Sequence, residues 1–82
     1  MSTKTVHIRY YALLKEKCGS DEETVTTSAA SLKDLYAEIS ARYQLTFPIK
    51  LLKVALNDQF CEWKTPIKNN DRIVFIPPVA GG

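Results

Sequence analysis

The chain has 82 residues, 45% of them hydrophobic, and a formal net charge of +2, which predicts one small domain with a modest core. Its eleven Lys and Arg residues are scattered among nine acids, without the basic stripe typical of nucleic-acid-binding proteins. The longest apolar run, residues 73–76, is too short to span a bilayer, and no basic leader precedes a long apolar segment. We therefore expect neither nucleic acid nor a membrane as a partner, and a cytoplasmic location.

The first third of the chain predicts a strand, a short helix and a second strand. Apolar and polar residues alternate from Val6 onward, which directs Val6, Ile8 and Tyr10 to one face and His7, Arg9 and Tyr11 to the other. Residues 12–18 are good helix formers, and Gly19 follows where a helix often ends in a left-handed residue. Residues 23–27 are rich in β-branched side chains and predict the second strand.

The principal helix is predicted over residues 31–43, with Ser31 as its N-cap and Pro48 preventing its continuation. Its apolar stripe consists of Leu32, Leu35, Tyr36, Ile39 and Tyr43. Residues 51–56 then predict a strand, Asn57-Asp58 a tight turn, and residues 59–61 a short return strand. Trp63 is expected to cover an edge of the core, and residues 72–76 to form a central strand.

This order predicts an α+β roll in which the principal helix covers one face of a mixed sheet of about five strands. Val6, Ile8, Val54, Leu56, Ile73 and Phe75 supply the covered face. The opposite face is predicted to carry Tyr11, Ala55, Phe60, Val74 and Ile76 with nothing left in the chain to cover them, and such a surface indicates a partner. The alternative is that single exposed apolar residues are ordinary and that a bulge shifts the alternation by one residue.

The last six residues are predicted to leave the domain, residues 1–76, as an extended tail. Two consecutive prolines cannot continue a sheet ladder and stiffen the chain after Ile76. The side chains then shrink toward the end, and glycines let a backbone and a carboxylate lie close against another protein. At about 3.3 to 3.6 Å per residue the tail reaches roughly 20 Å, far enough to enter a partner. The tail consists of Pro77, Pro78, Val79, Ala80, Gly81 and Gly82.

Catalytic and metal-ligating patterns are missing from the sequence. Cys18 and Cys61 have neither CxxC spacing nor a nearby histidine, so neither a zinc site nor a redox pair is indicated. A disulfide between them stays open, although reduced thiols are the preferred interpretation for a cytoplasmic domain. His7, the one histidine, has no predicted nucleophile or carboxylate partner. We therefore do not expect the chain to be an enzyme on its own.

Three segments closely resemble the molybdopterin synthase small subunit family, also called molybdopterin converting factor subunit 1. The ending, residues 71–82 (DRIVFIPPVAGG), is similar to the ending of that family, residues 11–19 to its first helix, and residues 54–57 to its third strand. Ala80 stands where the family often has serine or threonine, and Asn69-Asn70 where it often has Asp-Gly. The resemblance implies a ubiquitin-like β-grasp fold and a sulfur carrier that binds no cofactor itself.

The same resemblance implies how the tail is used. An E1-like activating enzyme, with ATP and magnesium, would adenylate the Gly82 carboxylate, and a sulfur donor protein would supply sulfur to form a thiocarboxylate. The tail would then insert into the large subunit of the synthase, where sulfur passes to a pterin precursor. From the strand alternation, not from the resemblance, Tyr11, Phe60, Val74 and Ile76 are expected to form the partner interface.

Two other functions remain open from the sequence. One is a carrier for another pathway, either thiamine synthesis, which the double proline and the length disfavour, or a protein modifier joined to lysine through Gly82. The other is a non-covalent interaction module in which the Gly-Gly end is passive.

Overall fold

The computed structural model describes residues 3–77, which form five strands and two α-helices. The strands are β1 (Lys4–Tyr10), β2 (Glu22–Thr27), β3 (Lys53–Leu56), β4 (Gln59–Cys61) and β5 (Arg72–Ile76). The helices are α1 (Ala12–Cys18) and α2 (Leu32–Tyr43), and a single 3-10 turn spans Ile49–Leu51.

The five strands form one mixed sheet in the order β2-β1-β5-β3-β4. β1 and β5 are parallel, whereas β1 with β2, β3 with β4 and β3 with β5 are antiparallel. Parallel neighbours require a crossover, and the connection that contains α2 lies between β1 and β5 in the chain. The predicted α+β β-grasp fold, with its central final strand, is therefore confirmed.

α2 supplies the helical side of the core, as its apolar stripe predicts. Ser31 caps the helix, because its Oγ accepts a hydrogen bond from the Asp34 backbone N–H at 3.3 Å. Tyr43 departs from the stripe in being only partly buried, since its hydroxyl reaches a carboxylate. The buried stripe consists of Leu32, Leu35, Tyr36 and Ile39.

The sheet supplies the other side of the core through the predicted residues. Leu56 is half-buried and packs against this core, and the fully buried members are Val6, Ile8, Val54, Ile73 and Phe75. The Trp63 ring stacks on Phe75 with centroids 5.8 Å apart and planes 10° from parallel, which confirms that Trp63 covers an edge of the core.

The third strand begins later than the sequence predicts. Residues 49–51 form a 3-10 turn in which Leu51 N–H donates to the Pro48 carbonyl at 3.0 Å. Leu51 is 52% exposed, and the ladder starts at Lys53. The prediction of a strand over residues 51–56 was wrong at its start, because an apolar Leu-Leu pair does not distinguish a tight turn from a buried strand.

Candidate functional site

The candidate site begins where β5 ends. Ile76 pairs with Lys53 in the β3–β5 ladder, and Pro77, which is buried, follows it. The base of the predicted tail is thus fixed to the central strand of the sheet. The other predicted tail residues, Pro78, Val79, Ala80, Gly81 and Gly82, lie outside the described residues 3–77, and their extension and chemistry stay predictions.

The sheet surface opposite the core is called the open face here, and the strand register assembles it. Arg9 pairs with Val74, Val74 with Ala55, and Ala55 with Phe60, so these four residues form one row across β1, β5, β3 and β4. Ile76 lies two residues beyond Val74 and therefore on the same face.

Tyr11 reaches the same surface from the end of β1. Its backbone is extended, with φ −124° and ψ 151°, so its side chain continues the alternation of Arg9. The structure thus brings Tyr11, Phe60, Val74 and Ile76 to one face of the sheet.

Two aromatic rings dominate the apolar surface of the open face. Phe60 is 70% exposed and Tyr11 45% exposed, whereas Val74 and Ile76 are half-buried. The expectation that Ala55 is uncovered was wrong, since only 8% of it is exposed. Ala55 lies between Val74 and Phe60 in the register, and a methyl group is shorter than either neighbour.

A cation lies over each of these rings, which the sequence analysis did not anticipate. The Arg9 guanidinium carbon is 5.8 Å from the centroid of Tyr11, and Lys53 Nζ is 5.9 Å from that of Phe60. Both pairs follow from geometry that was readable in the sequence. Arg9 and Tyr11 are two residues apart on an extended chain, and a two-residue turn at Asn57-Asp58 places Lys53 diagonally across from Phe60.

His7 also lies on the open face and is exposed, as predicted. It pairs with Arg72 across the β1–β5 ladder, and its Nδ1 is 3.2 Å from Thr24 Oγ1.

A partly buried carboxylate joins three elements on the core side, and the sequence analysis missed it. Glu23 Oε1 accepts the Tyr10 hydroxyl at 2.7 Å, and Glu23 Oε2 accepts the Tyr43 hydroxyl at 2.7 Å. Arg42 Nη1 donates to Oε2 at 3.4 Å. Burial, together with the bond to Glu23, raises the pKa of Tyr10 far above its usual range, and the bond to Glu23 followed by burial raises the pKa of Tyr43.

The two cysteines are free thiols, so no disulfide links them. Burial, followed by the nearby Glu23 carboxylate, raises the pKa of the Cys18 thiol. A raised pKa leaves less thiolate near neutral pH, and the thiolate is the nucleophile. Cys18 is therefore a poor candidate for sulfur transfer.

A second polar cluster fixes the start of β5. Asn57 Nδ2 donates to Asp71 Oδ1 at 3.0 Å, and Arg72 N–H donates to Asn57 Oδ1 at 2.9 Å. The Lys68 N–H donates to Asp71 Oδ2 at 2.7 Å. The sequence analysis treated Asn57 as a turn residue only, whereas its side chain and that of Asp71 hold the β3–β4 turn against the strand that leads to the tail.

Two further observations concern ligands and membranes. Among residues 3–77, no group of three or more His, Cys, Asp and Glu side chains is placed to hold a metal ion. Neither helix of the same stretch has the length and apolar character that a bilayer crossing requires.

Comparison with known proteins gives consistent matches over nearly the full length. The ThiS family profile matches residues 8–82. The "Molybdopterin synthase sulfur carrier subunit" of Chlamydomonas reinhardtii is 31% identical over 81 aligned residues, which cover 94% of this chain and 98% of that protein.

Solved structures agree with the sequence matches. "Putative molybdopterin converting factor, subunit 1" from Pyrococcus furiosus has a TM-score of 0.76 at 25% identity and covers 93% of this chain and 99% of its own. The complex of subunits 1 and 2 of molybdopterin-converting factor from Helicobacter pylori matches with a TM-score of 0.63 at 32% identity. The match covers 95% of this chain and 99% of that chain. The ubiquitin of Caldiarchaeum subterraneum shares the fold alone, with a TM-score of 0.65 at 13% identity and coverage of 99% and 100%.

Proposed function

Because the chain belongs to the ThiS family, we propose that it is the sulfur-carrier subunit of a molybdopterin synthase. One observation carries this proposal: a protein of that name from Chlamydomonas reinhardtii aligns over 98% of its length at 31% identity. The fold supports it, since the central strand β5 leads directly into the sequence that ends in Gly81-Gly82.

The proposed chemistry takes place at the Gly82 carboxylate. A carboxylate is ionised near pH 7 and resists substitution, so an E1-like enzyme would first use ATP and magnesium to form an acyl adenylate and release pyrophosphate. Sulfur at the oxidation level of sulfide, from a sulfur donor protein, would attack the acyl carbon. The C–O bond to AMP then breaks, AMP leaves with the bonding electron pair, and Gly82 carries a thiocarboxylate. The chain itself supplies a reagent that a second protein consumes.

The open face would hold the chain on its partners while the tail enters their active sites. Phe60 and Tyr11 are the large apolar groups exposed there, and burying one such side chain contributes about 2 to 3 kcal/mol. Pro77 lies at the end of the strand that carries Val74 and Ile76, so docking on this face would also aim the tail. The large subunit would provide the pocket and the acid and base groups, and the chain would act in the cytoplasm without enzymatic activity of its own.

Carriers of other pathways differ from this proposal in their acceptor. A thiamine-pathway carrier would undergo the same activation and donate to a different enzyme, and a protein modifier would be joined to lysine through Gly82. The double proline and the named relatives favour the molybdopterin branch. A conjugate of higher mass in cells would instead favour the modifier.

The test is the intact mass of the chain after incubation with ATP, magnesium, a sulfur source and an extract of its own cells. We expect a mass gain equal to the difference between one sulfur and one oxygen atom, located on Gly82 by sequencing the C-terminal peptide. The loaded chain, mixed with the large subunit and the pterin precursor, should then return to its original mass as molybdopterin forms.

Two outcomes would contradict the proposal. An unchanged mass, in an extract that modifies a known carrier, would favour the non-covalent interaction module. A thiocarboxylate that persists with the synthase large subunit and disappears with a thiamine-pathway acceptor would assign the chain to that other pathway.

A further inference from the structure

Each of the two exposed rings of the open face has a cation over it. Arg9 lies over Tyr11 and Lys53 over Phe60, and neither cation forms an ion pair within residues 3–77. Lys53 also pairs with Ile76, which places it beside the base of the tail. The apolar surface is therefore flanked by one unpaired cation toward β1 and another toward the β3–β4 hairpin.

The acidic side chains of the open face do not neutralise these two cations. Asp58 Oδ2 accepts from Arg72 Nη2 at 3.0 Å and so belongs to a separate, exposed ion pair. Glu22 lies opposite Arg9 in the β1–β2 register, on the edge strand, and forms no ion pair with it. Glu22 and Asp58 also line a hollow of about 180 Å³ that opens beside Arg9 and Val74.

Docking on the rings would remove water from the cations that lie on them. A partner that covers Tyr11 and Phe60 also covers the Arg9 and Lys53 side chains, because each cation sits against its ring. A charge that is buried without a partner costs several kcal/mol, whereas a charge that meets a carboxylate in a dry interface forms a strong hydrogen bond. A purely apolar partner surface would therefore fit this face badly.

We infer that the protein surface which docks on the open face has an apolar centre and two carboxylates, one placed to meet Arg9 and one to meet Lys53. The inference rests on the proposed function for the identity of that protein, the large subunit of the synthase. It goes further than the proposed function in stating that this partner surface carries carboxylates beside its apolar centre, and that Arg9 and Lys53 bind them.

The test removes the two charges and keeps the apolar stems. In Arg9→Met/Lys53→Met the side chains still cover the rings, so an apolar partner would bind this variant as well as or better than the original chain. With an acidic partner, we expect the Kd for the large subunit to rise about tenfold or more at low salt, and the dependence of Kd on salt to flatten. The matched control is Lys33→Met/Lys50→Met, which removes two exposed lysines outside the open face.

A second variant, which we expect to bind more tightly, distinguishes an effect on binding from a folding defect. Glu22→Gln removes the carboxylate that lies opposite Arg9, so we expect it to tighten binding by a factor of about two to five. An unchanged or lower Kd in Arg9→Met/Lys53→Met, or weaker binding in Glu22→Gln, would overturn the inference. The mass measurement on Gly82 does not depend on these variants, so a thiocarboxylate on the original chain separates failure of the inference from failure of the proposed function.

Discussion

At the scale of single residues, Ala12 adopts a backbone conformation that residues with a side chain rarely adopt. It begins α1 with a φ of 52°, in the left-handed region, whereas Gly19, which has no Cβ, ends the same helix with a φ of 81°. A non-glycine residue in this region costs about 1 to 2 kcal/mol. Ala12 directly follows Tyr11, so its conformation helps to set where α1 leaves the open face.

Substitutions at the two ends of α1 should therefore have opposite effects on stability. We expect Ala12→Gly to raise the free energy of unfolding by about 0.5 kcal/mol, because relief of strain exceeds the entropy that glycine adds to the unfolded chain. Gly19→Ala should lower it by about 1 kcal/mol through the backbone alone, since no atom lies within 4 Å of the added Cβ. Urea unfolding measures both, and a loss of stability in Ala12→Gly would show that Ala12 is not strained.

The tyrosines around Glu23 predict a loss of stability in alkali. The pKa values of Tyr10 and Tyr43 are raised in the folded chain, so above about pH 10 the unfolded chain loses protons that the folded chain keeps. Stability contributed by these groups is therefore complete below that pH and declines above it. We expect the melting temperature to fall with pH less steeply in Tyr10→Phe/Tyr43→Phe than in the control Tyr11→Phe. Equal slopes in the two variants would contradict this assignment.

At the scale of elements, the β3–β4 hairpin presents the most exposed apolar side chain of the open face. We expect Phe60→Ala to raise the Kd for the synthase large subunit by about tenfold to a hundredfold, because truncating a buried aromatic residue at an interface typically costs 2 kcal/mol or more. The melting temperature should change little, since Phe60 is 70% exposed. Leu51→Ala, at a residue that is 52% exposed on the 3-10 turn, is the control. Equal affinities of the two variants would remove Phe60 from the interface.

The elements with strong periodicity were predictable from the sequence, and so were their caps. α2 has its N-cap at Ser31, α1 ends at a left-handed Gly19, and the β3–β4 turn has positive φ at Asn57 and Asp58. The start of β3 was not predictable, because tertiary packing decides whether Leu51 and Leu52 extend or turn. The Asn57–Asp71 hydrogen bond was also missed, since it joins residues 14 positions apart and depends on the strand order.

At the scale of the whole molecule, we expect the proposed activation of the tail and the docking of the open face to be separable. We expect one serine added after Gly82 to abolish the thiocarboxylate on Gly82, because its carbonyl then belongs to an amide and offers no free carboxylate oxygen to attack ATP. The Kd for the activating enzyme should remain within a fewfold of the original value, since the open face is untouched. One serine inserted after Met1 is the control, and it should leave both the mass gain and the Kd unchanged. Thiocarboxylation of the extended chain would show that Gly82 is not the acceptor.

The faces of the sheet could be predicted from alternation, which correctly brought Tyr11, Phe60, Val74 and Ile76 together. The buried position of Ala55 required the register between strands, which only the assembled sheet fixes, whereas the cations over the rings follow from local spacing and the turn at Asn57-Asp58. Glu23 was missed because a carboxylate at a strand position normally faces solvent, and its two tyrosine partners come from separate elements.

The position of β5 also governs when the molecule can fold during synthesis. β1 with β2 and β3 with β4 are the pairs that form locally, and both are complete by Cys61. The strand that joins them is made last of the five, so the two halves of the sheet have no ladder between them until Ile76 has left the ribosome. A nascent chain that stops before β5 therefore lacks both the central strand of the open face and the residues that follow it.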